Sequence, residues 1–234
     1  MQAVILAGGK DTRLRPYTMS IPKPLVPIGE MPILEVVLRQ LKHYGFTDVI
    51  LAVNHLAEII MAVFGDGSKL GLRLRYSVED HVLGTAGPLS LLEALEPTFL
   101  TMNGDLLTTL DYGKLMRHHA EAGNQITIGS YPKEVKIDLG VLEAEGNQFR
   151  KYIEKPTYSF LVSTGIYAMS RDVIPLIPRN VKLDLPDLVT MAHDRGMQVR
   201  LYRDDYYWLD IGRAEDYEKA NEIFEQRRDE FLPG

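Results

Sequence analysis

The chain of 234 residues contains no cysteine, which excludes disulfide bonds, cysteine-ligated zinc, iron–sulfur clusters and a thiol nucleophile. It has no basic excess either: 26 Lys and Arg against 32 Asp and Glu give a net charge of −6. Nucleic acids and anionic membranes require a basic face, so we expect neither as a partner, although a small phosphorylated ligand needs only a local basic pocket. No apolar run approaches the ~18 residues of a membrane span, and the amino terminus lacks the basic segment of a secretory signal. We therefore expect a soluble, cytoplasmic protein.

The chain also lacks linkers, low-complexity segments and repeats of fixed period. Apolar runs at residues 3–7, 49–53 and 98–102 have the length and composition of buried strands. Helical patterns lie between such runs, and one of them predicts a helix at residues 88–96. Strands that alternate with helices indicate βαβ units, and therefore an α/β fold with a doubly wound, mostly parallel sheet.

After about residue 125 this alternation changes. The sequence predicts a hairpin, two further strands and a closing helix, at residues 141–154, 163–169, 198–202 and 214–228. We therefore expect one domain, residues 1–234, whose second half extends the same sheet into a mixed one. A ligand should lie at the carboxyl ends of the parallel strands.

Gly8 and Gly9 follow the first predicted strand, where backbone N–H groups can approach an anion. Lys10, Arg13 and Lys23 add cationic donors nearby. The spacing matches neither G-x-x-x-x-G-K-[ST] nor G-x-G-x-x-G. A surface turn is the simpler interpretation of two glycines alone, but Arg13 and the proline-flanked Lys23 favour an anion-binding loop.

The segment LAGGKDTRL and the PKP that follows it resemble the signature of sugar-1-phosphate nucleotidyltransferases, also called NDP-sugar pyrophosphorylases. The resemblance covers nearly the whole chain and is strongest to short bacterial mannose- or heptose-1-phosphate guanylyltransferases. Because the printed sequence stops at Gly234, we expect no left-handed β-helix domain of the kind found in many longer members. Further motifs occur in the family's order: LGTAG (83–87), NGD (103–105), LGV (139–141), EKP (154–156), TGIY (164–167) and WLDIG (208–212).

The resemblance implies a Rossmann-like fold with a nucleotide-binding half (about residues 1–124) and a smaller sugar-binding half (about residues 125–234). It also implies the reaction, in which a phosphate oxygen of a sugar 1-phosphate attacks the α-phosphorus of an NTP and pyrophosphate leaves. Catalysis is then mainly positioning and charge neutralisation, without a protein nucleophile. The implied partners are the NTP and the sugar 1-phosphate, and the implied cofactor is Mg²⁺. Whether the protein forms a homo-oligomer is left open.

The resemblance assigns catalysis to Arg13, Lys23, Asp105 and Asp210. Arg13 would neutralise the β- and γ-phosphates, and Lys23 would lie between the two reacting phosphates. Asp105 and Asp210 each end an apolar strand-like run and would hold Mg²⁺, which commonly takes one or two protein carboxylates. Taken alone, a turn residue and a helix N-cap are the simpler interpretations of these two. The implied nucleotide-binding residues are Leu6, Ala7, Gly8, Gly9, Lys10, Asp11, Thr12, Arg13, Lys23, Glu79, Gly84, Thr85, Asn103 and Asp105. The implied sugar-phosphate-binding residues are Gly140, Glu154, Lys155, Ser163, Thr164 and Asp210.

Three positions bear on substrate and activity. Asp11 replaces a glycine of the family pattern, and its carboxylate about 4 Å from a phosphate oxygen would feel repulsion on the order of 4 kcal/mol at a dielectric of 20. Ser163 replaces a more frequent asparagine and has a shorter side chain, so the sequence does not decide which sugar is bound. Glu79 lies where thymidylyl relatives carry glutamine, and a carboxylate can accept from both N1–H and the amino group of guanine, so GTP is the expected nucleotide.

Alternatives remain at this point. One is a nucleotide-sugar-binding regulatory paralogue with little turnover, to which Asp11 points. Another is a thymidylyl- or uridylyltransferase acting on glucose-type 1-phosphates. A glycosyltransferase fits the glycine loop and Lys23 less well. The six histidines show no metal-ligand spacing, and we interpret them as structural or surface residues.

Overall fold

A computed structural model describes residues 1–9, 14, 18 and 21–233 of the chain. The strands are β1 (Gln2–Leu6), β2 (Pro27–Ile28), β3 (Met31–Pro32), β4 (Asp48–Val53), β5 (Arg73–Val78), β6 (Thr98–Asn103), β7 (Leu106–Thr108), β8 (Ile126–Lys136), β9 (Val141–Glu145), β10 (Gln148–Ile153), β11 (Thr157–Ser170), β12 (Val199–Tyr202) and β13 (Trp208–Asp210). The α-helices are α1 (Ile33–His43), α2 (Ala57–Phe64), α3 (Tyr112–Glu121), α4 (Leu185–Asp194), α5 (Ala214–Gln226) and α6 (Arg228–Phe231). Short 3₁₀ helices lie at Lys23–Leu25, Ser68–Leu70, Gly87–Leu91 and Arg171–Leu176.

The central sheet has seven strands in the order β12-β8-β11-β6-β1-β4-β5. β1 pairs in parallel with β4 and β6, β4 pairs in parallel with β5, and β12 with β8. β11 is antiparallel to both of its neighbours, β6 and β8. The remaining six strands of this sheet all run in the same direction. The predicted α/β fold with a mostly parallel mixed sheet is confirmed, and the sheet takes strands from both predicted halves of the chain.

Helices cover both faces of the sheet because the strand side chains alternate between two apolar cores. On one face, α1 buries Leu34, Leu38 and Leu41 at helical spacing, together with residues of α2 and α3. On the other face, α4 buries Leu188 against the opposite side of the strands. A third core packs α5 and α6 against α1, β2 and β7, outside the seven-stranded sheet, through Phe224 and its neighbours. Among the described residues, no helix combines the length and apolarity that crossing a membrane would require.

The predicted helix at residues 88–96 is wrong beyond its first turn. The structure has a 3₁₀ helix at Gly87–Leu91 and irregular chain after it. The side chain of Gln2 explains the difference, because its Oε1 accepts from the N–H of Glu96 at 2.9 Å and its Nε2 donates to the carbonyl of Ala94 at 3.4 Å. Ala94 also has a φ of 56°, which no α-helix contains. Tertiary hydrogen bonds therefore replace helical ones.

The predicted hairpin is confirmed as β9 and β10, which pair with each other outside the main sheet. The strand predicted at residues 163–169 is longer than expected, because β11 begins at Thr157 and pairs with β8 from Lys136 onward. The pairing shifts register between Ser163 and Tyr167. β8 and β11 thus carry second-half residues to the edge of the sheet where the parallel strands end.

Candidate active site

A cavity of about 520 Å³ opens where β1, β4, β5 and β6 end. Four of the fourteen predicted nucleotide-binding residues lie outside the described residues: Lys10, Asp11, Thr12 and Arg13. The other ten all line this cavity, because the carboxyl ends of parallel strands meet at one edge of a sheet. They are Leu6, Ala7, Gly8, Gly9, Lys23, Glu79, Gly84, Thr85, Asn103 and Asp105.

The glycine segment begins in a position that neighbouring strands determine. The N–H of Ala7 donates to the carbonyl of Ala52 at 2.8 Å, and the carbonyl of Leu6 accepts from the N–H of Gly104 at 3.0 Å. Gly8 lies so close to the end of β4 that a Cβ there would be 3.2 Å from the Cβ of Asn54. Glycine therefore lets the backbone line the cavity without a side chain between it and a ligand.

Lys23 is the cation among the described residues that line the cavity. It begins the 3₁₀ helix Lys23–Leu25, where the N–H of Leu25 donates to the carbonyl of Pro22 at 2.8 Å. Its side chain is 7% exposed, and Nζ lies 2.5 Å from Oδ2 of Asp105. Burial of an ammonium group is costly unless it is paired, so Asp105 compensates the charge of Lys23.

Asp105 and Asp210 are brought together by the pairing of β7 with β13. Asp210 lies opposite Leu106, and the N–H of Ile211 donates to the carbonyl of Asp105 at 3.3 Å. Oδ1 of Asp105 is buried and has no hydrogen-bond partner among the described residues. A buried carboxylate oxygen without a partner fits a ligand of a hard cation such as Mg²⁺. Within residues 1–9, 14, 18 and 21–233 there is no cluster of three or more potential metal ligands.

Glu79 places a buried carboxylate in the cavity wall just after β5. Its backbone is held by the carbonyl of Val53, which accepts from the Glu79 N–H at 3.0 Å, and by the side-chain amide of Asn54, which donates to the Glu79 carbonyl at 3.0 Å. Its Oε2 accepts from the N–H of Leu83 at 3.2 Å, and burial raises the pKa of this carboxyl, against the smaller effect of that N–H. Its other oxygen, Oε1, would lie 3.2 Å from a Cβ on Gly8 and so adjoins the glycine segment.

Several residues of the site were not singled out from the sequence. Ala52, Val82 and Pro88 line the cavity, and they carry no polar group that a sequence pattern could mark. Asp184 contacts the loop that bears Thr85, accepting from the Thr85 N–H at 2.9 Å. Its partner is about a hundred residues away in the chain, so no local pattern indicates the contact.

The predicted sugar-phosphate residues do not line the 520 Å³ cavity. Thr164 is buried and its hydroxyl donates to the carbonyl of Gly129 at 2.8 Å, while the hydroxyl of Ser163 lies 3.0 Å from that of Tyr167. Gly140 is covered by the hydroxyl of Tyr152, which a Cβ at that position would overlap. Glu154 and Lys155 are exposed between β10 and β11, where they are free to meet a ligand from solvent. The sugar-binding role of these residues stays a prediction.

An aromatic wall stands beside Asp210. The ring of Trp208 packs against that of Tyr131 with centroids 5.7 Å apart, and Tyr131 packs against Tyr206 at 5.9 Å. The indole N–H of Trp208 donates to the carbonyl of Thr164 at 2.9 Å, which joins β13 to β11. The wall therefore connects the carboxylate pair with the strand that bears Ser163 and Thr164.

The comparison with protein families gives the class of the chain. The model of the nucleotidyl transferase family matches residues 2–227, and the chain belongs to this family.

Individual relatives narrow the comparison. The chain is 36% identical over 241 residues to the UTP–glucose-1-phosphate uridylyltransferase of Synechocystis sp., covering 94% of this chain and 62% of that protein. It is 33% identical over 230 residues to the probable mannose-1-phosphate guanylyltransferase 1 of Oryza sativa, covering 93% and 63%. The chain thus spans less than two thirds of the length of these curated relatives. The crystal structure of HddC from Yersinia pseudotuberculosis complexed with GMP-PN superposes with a TM-score of 0.72 at 26% identity, covering 95% of this chain and 99% of that one.

Proposed function

We propose that the chain transfers a nucleotidyl group from an NTP to a sugar 1-phosphate. An oxygen of the sugar phosphate forms a bond to the α-phosphorus, the bond from that phosphorus to the bridging oxygen of the β-phosphate breaks, and pyrophosphate carries away the electron pair. The observation that carries this proposal is the cavity at the ends of β1, β4, β5 and β6. It gathers a side-chain-free glycine backbone, a buried lysine and an aspartate, the groups needed to bind and neutralise phosphates.

Lys23 is the group that we place between the reacting phosphates. Its neighbouring prolines and the 3₁₀ turn hold the backbone in one position, so the ammonium group needs little reorganisation before reaction. Arg13, assigned from the sequence, would neutralise the departing pyrophosphate. No group on the protein needs to form a covalent intermediate.

Asp105 and Asp210 are the residues that would hold Mg²⁺. The unpartnered Oδ1 of Asp105 and the adjacency of the two residues across β7 and β13 support this assignment. When bound, the ion would supply positive charge to the phosphates during transfer. Nζ of Lys23 pairs with the other oxygen of the same carboxylate, Oδ2 of Asp105.

GTP is the nucleotide that we propose, with Glu79 as the acceptor for guanine. A buried carboxylate in the cavity wall, with one oxygen held by the N–H of Leu83, supports this choice. Mannose-1-phosphate guanylyltransferases among the relatives and the GMP-PN complex of HddC also support it. The Synechocystis relative is named a uridylyltransferase, so UTP is the competing nucleotide.

We further propose that residues 1–234 form one nucleotidyltransferase domain. Its nucleotide-binding and sugar-binding halves would meet where β6 pairs with β11. Gly140, Glu154, Lys155, Ser163 and Thr164 would then contact the sugar and its phosphate from the second half. The cytoplasmic location expected from the sequence stays a prediction.

A substrate matrix tests the proposal. GTP, UTP, dTTP, ATP and CTP are each mixed with mannose, glucose and heptose 1-phosphates and Mg²⁺, and pyrophosphate release is measured. We expect release to depend on both substrates and to be fastest with GTP. Nucleotide binding without release in every combination would instead indicate the regulatory alternative, and release of free nucleoside diphosphate from an NDP-sugar would indicate a glycosyltransferase.

A substitution at Glu79 tests the proposed recognition of guanine. Glu79→Gln should lower kcat/KM for GTP relative to UTP by about tenfold or more, because an amide cannot accept from both guanine donors. Asp80→Asn is the matched control, since Asp80 is adjacent and exposed and does not line the cavity. An unchanged ratio of GTP to UTP in Glu79→Gln would contradict the role of Glu79.

A further inference from the structure

Asp184 lies at the N-cap of α4, where an aspartate usually accepts a hydrogen bond from the first turn of its own helix. Its side chain makes no such bond. Instead, Oδ1 accepts from the backbone N–H of Thr85 at 2.9 Å and from the Thr85 hydroxyl at 3.3 Å. The N–H of Leu185 in turn donates to the Thr85 hydroxyl at 2.8 Å. The carboxylate is thus directed away from its own helix to a distant loop.

The preceding residue, Leu183, attaches the same loop through its backbone. Its carbonyl accepts from the N–H groups of Ala86 and Gly87 at 2.9 and 3.0 Å, and its own N–H donates to the carbonyl of Leu83 at 3.0 Å. Each of these bonds joins residues 83–87 to the second half of the chain. The loop therefore takes its position from the segment before α4.

This loop forms one wall of the proposed nucleotide site. Gly84 and Thr85 line the cavity, and the N–H of Leu83 donates to the carboxylate of Glu79. Gly84 has a φ of 78°, and a Cβ there would lie 2.6 Å from Oδ1 of Asp184, so loop and carboxylate are in direct contact. A shift of the loop would move both the cavity wall and the donor that orients Glu79.

We propose that Asp184 is a positioning residue for nucleotide recognition. It holds residues 83–87 in the conformation that shapes the cavity and orients Glu79, and it touches no substrate itself. This inference rests on the proposed nucleotide-binding function of the cavity. It predicts that Asp184 affects nucleotide affinity and base discrimination more than turnover or sugar binding.

Three substitutions separate positioning from helix capping. Asp184→Ser can still cap α4 but is too short to reach Thr85, Asp184→Asn keeps an oxygen acceptor for the Thr85 N–H, and Asp184→Ala does neither. Calorimetric titration of the full chain with GTP and with UTP, each with Mg²⁺, gives the dissociation constants. We expect Asp184→Ala and Asp184→Ser to raise the dissociation constant of the tighter-binding nucleotide about tenfold, the loss typical of one hydrogen bond to a charged group. In these two variants the ratio of the GTP and UTP dissociation constants should fall toward one. In Asp184→Asn both dissociation constants should stay within about threefold of the wild-type values.

Steady-state kinetics and a matched control complete the test. Asp48→Asn removes a charge from another hydrogen-bonded carboxylate, which accepts from Gln2, Arg73 and Arg75 at the amino end of β4, away from the cavity. It should lower Tm and leave the nucleotide ratio unchanged, while the Asp184 variants should keep kcat and the KM for sugar 1-phosphate near their wild-type values. Wild-type affinities in Asp184→Ser and Asp184→Ala would overturn the assignment. So would an equal loss for GTP, UTP and sugar 1-phosphate that follows the loss of Tm. A wild type that binds neither nucleotide would overturn the proposed function itself.

Discussion

Replacing Lys23 by methionine tests both the electrostatics and the chemistry of the site. Methionine keeps most of the buried stem and removes the ammonium group, which lies 2.5 Å from Oδ2 of Asp105. The carboxylate is then left with neither oxygen paired to a described residue, since Oδ1 already lacks a partner. Breaking a fully buried ion pair costs about 3–5 kcal/mol, but the Asp105 side chain is 20% exposed beside the cavity. We therefore expect the free energy of unfolding to fall by about 2–3 kcal/mol, or Tm by roughly 4–12 °C in a chain of this size.

The activity of Lys23→Met should fall by about 10²–10³ in kcat/KM, the usual effect of losing one preorganised charge at the site of charge development. The double variant with Asp105→Asn separates this effect from stability. It no longer buries an unpaired charge, so it should recover at least about 1 kcal/mol of the stability lost in Lys23→Met. It should recover none of the activity.

Urea unfolding at pH 7.5 and pyrophosphate release with saturating Mg²⁺ measure the two quantities on the same preparations. A Lys23→Met protein with wild-type kcat/KM would refute the proposed role of Lys23 in transfer. A double variant no more stable than Lys23→Met would refute the argument that Asp105 destabilises the fold when its partner is removed.

Three further predictions concern the metal, the glycine segment and pH. Asp105→Asn and Asp210→Asn should each raise the Mg²⁺ concentration needed for half-maximal activity, because an amide keeps an oxygen but loses the charge; an unchanged requirement would exclude that residue as a ligand. Asp11→Gly should bind NTP more tightly with little change in Tm, measured by titration and thermal unfolding, since the sequence predicts that it removes a negative charge near the phosphates; lower activity would instead show that Asp11 contributes to catalysis. Burial lowers the pKa of His119 to about 4, with a smaller effect from His118, so the neutral imidazole stabilises the fold above about pH 6.5. That contribution, roughly 3 kcal/mol at most, should be lost as pH falls from 6.5 to 4, and urea titrations should show a weaker pH dependence in His119→Gln than in the exposed control His118→Gln.

Local periodicity explains how much of the fold was predictable. The apolar runs at residues 3–7 and 49–53 form central parallel strands, because a strand buried on both faces needs an unbroken run of apolar side chains. The segment at residues 98–102 forms a third such strand, although Thr98 and Thr101 interrupt its apolar side chains. The hairpin of β9 and β10 was predictable for a similar reason, since its turn residues lie between two strand-like runs. The segment 88–96 was not, because the side chain of Gln2 competes for its backbone from the other end of the sequence.

The candidate site also has features that the sequence predicted and features that it did not. The composition of the glycine segment, the lysine between prolines and the aspartate after β6 indicated an anion site, and parallel topology then required these residues to meet. The distance between Lys23 and Asp105 was not predictable, because it depends on how the 3₁₀ turn packs against the end of β6. The sequence also placed the sugar residues in one group with Asp210. None of this group lines the cavity, Glu154 and Lys155 are exposed, and the role of the group stays a prediction.

By itself, the sequence determined the strand and helix periodicities, the absence of cysteine chemistry and the residue types available for phosphate binding. These properties depend on neighbours within a few positions or on composition alone. Only the tertiary structure decided which backbone groups hold the cavity wall, and the contact between Asp184 and Thr85 is the clearest case. That aspartate has the sequence context of a helix cap, yet its carboxylate reaches the loop at residues 83–87, because packing of α4 on the sheet brings the loop within hydrogen-bond distance. Contacts of this kind depend on chain segments about a hundred residues apart, and no local pattern encodes them.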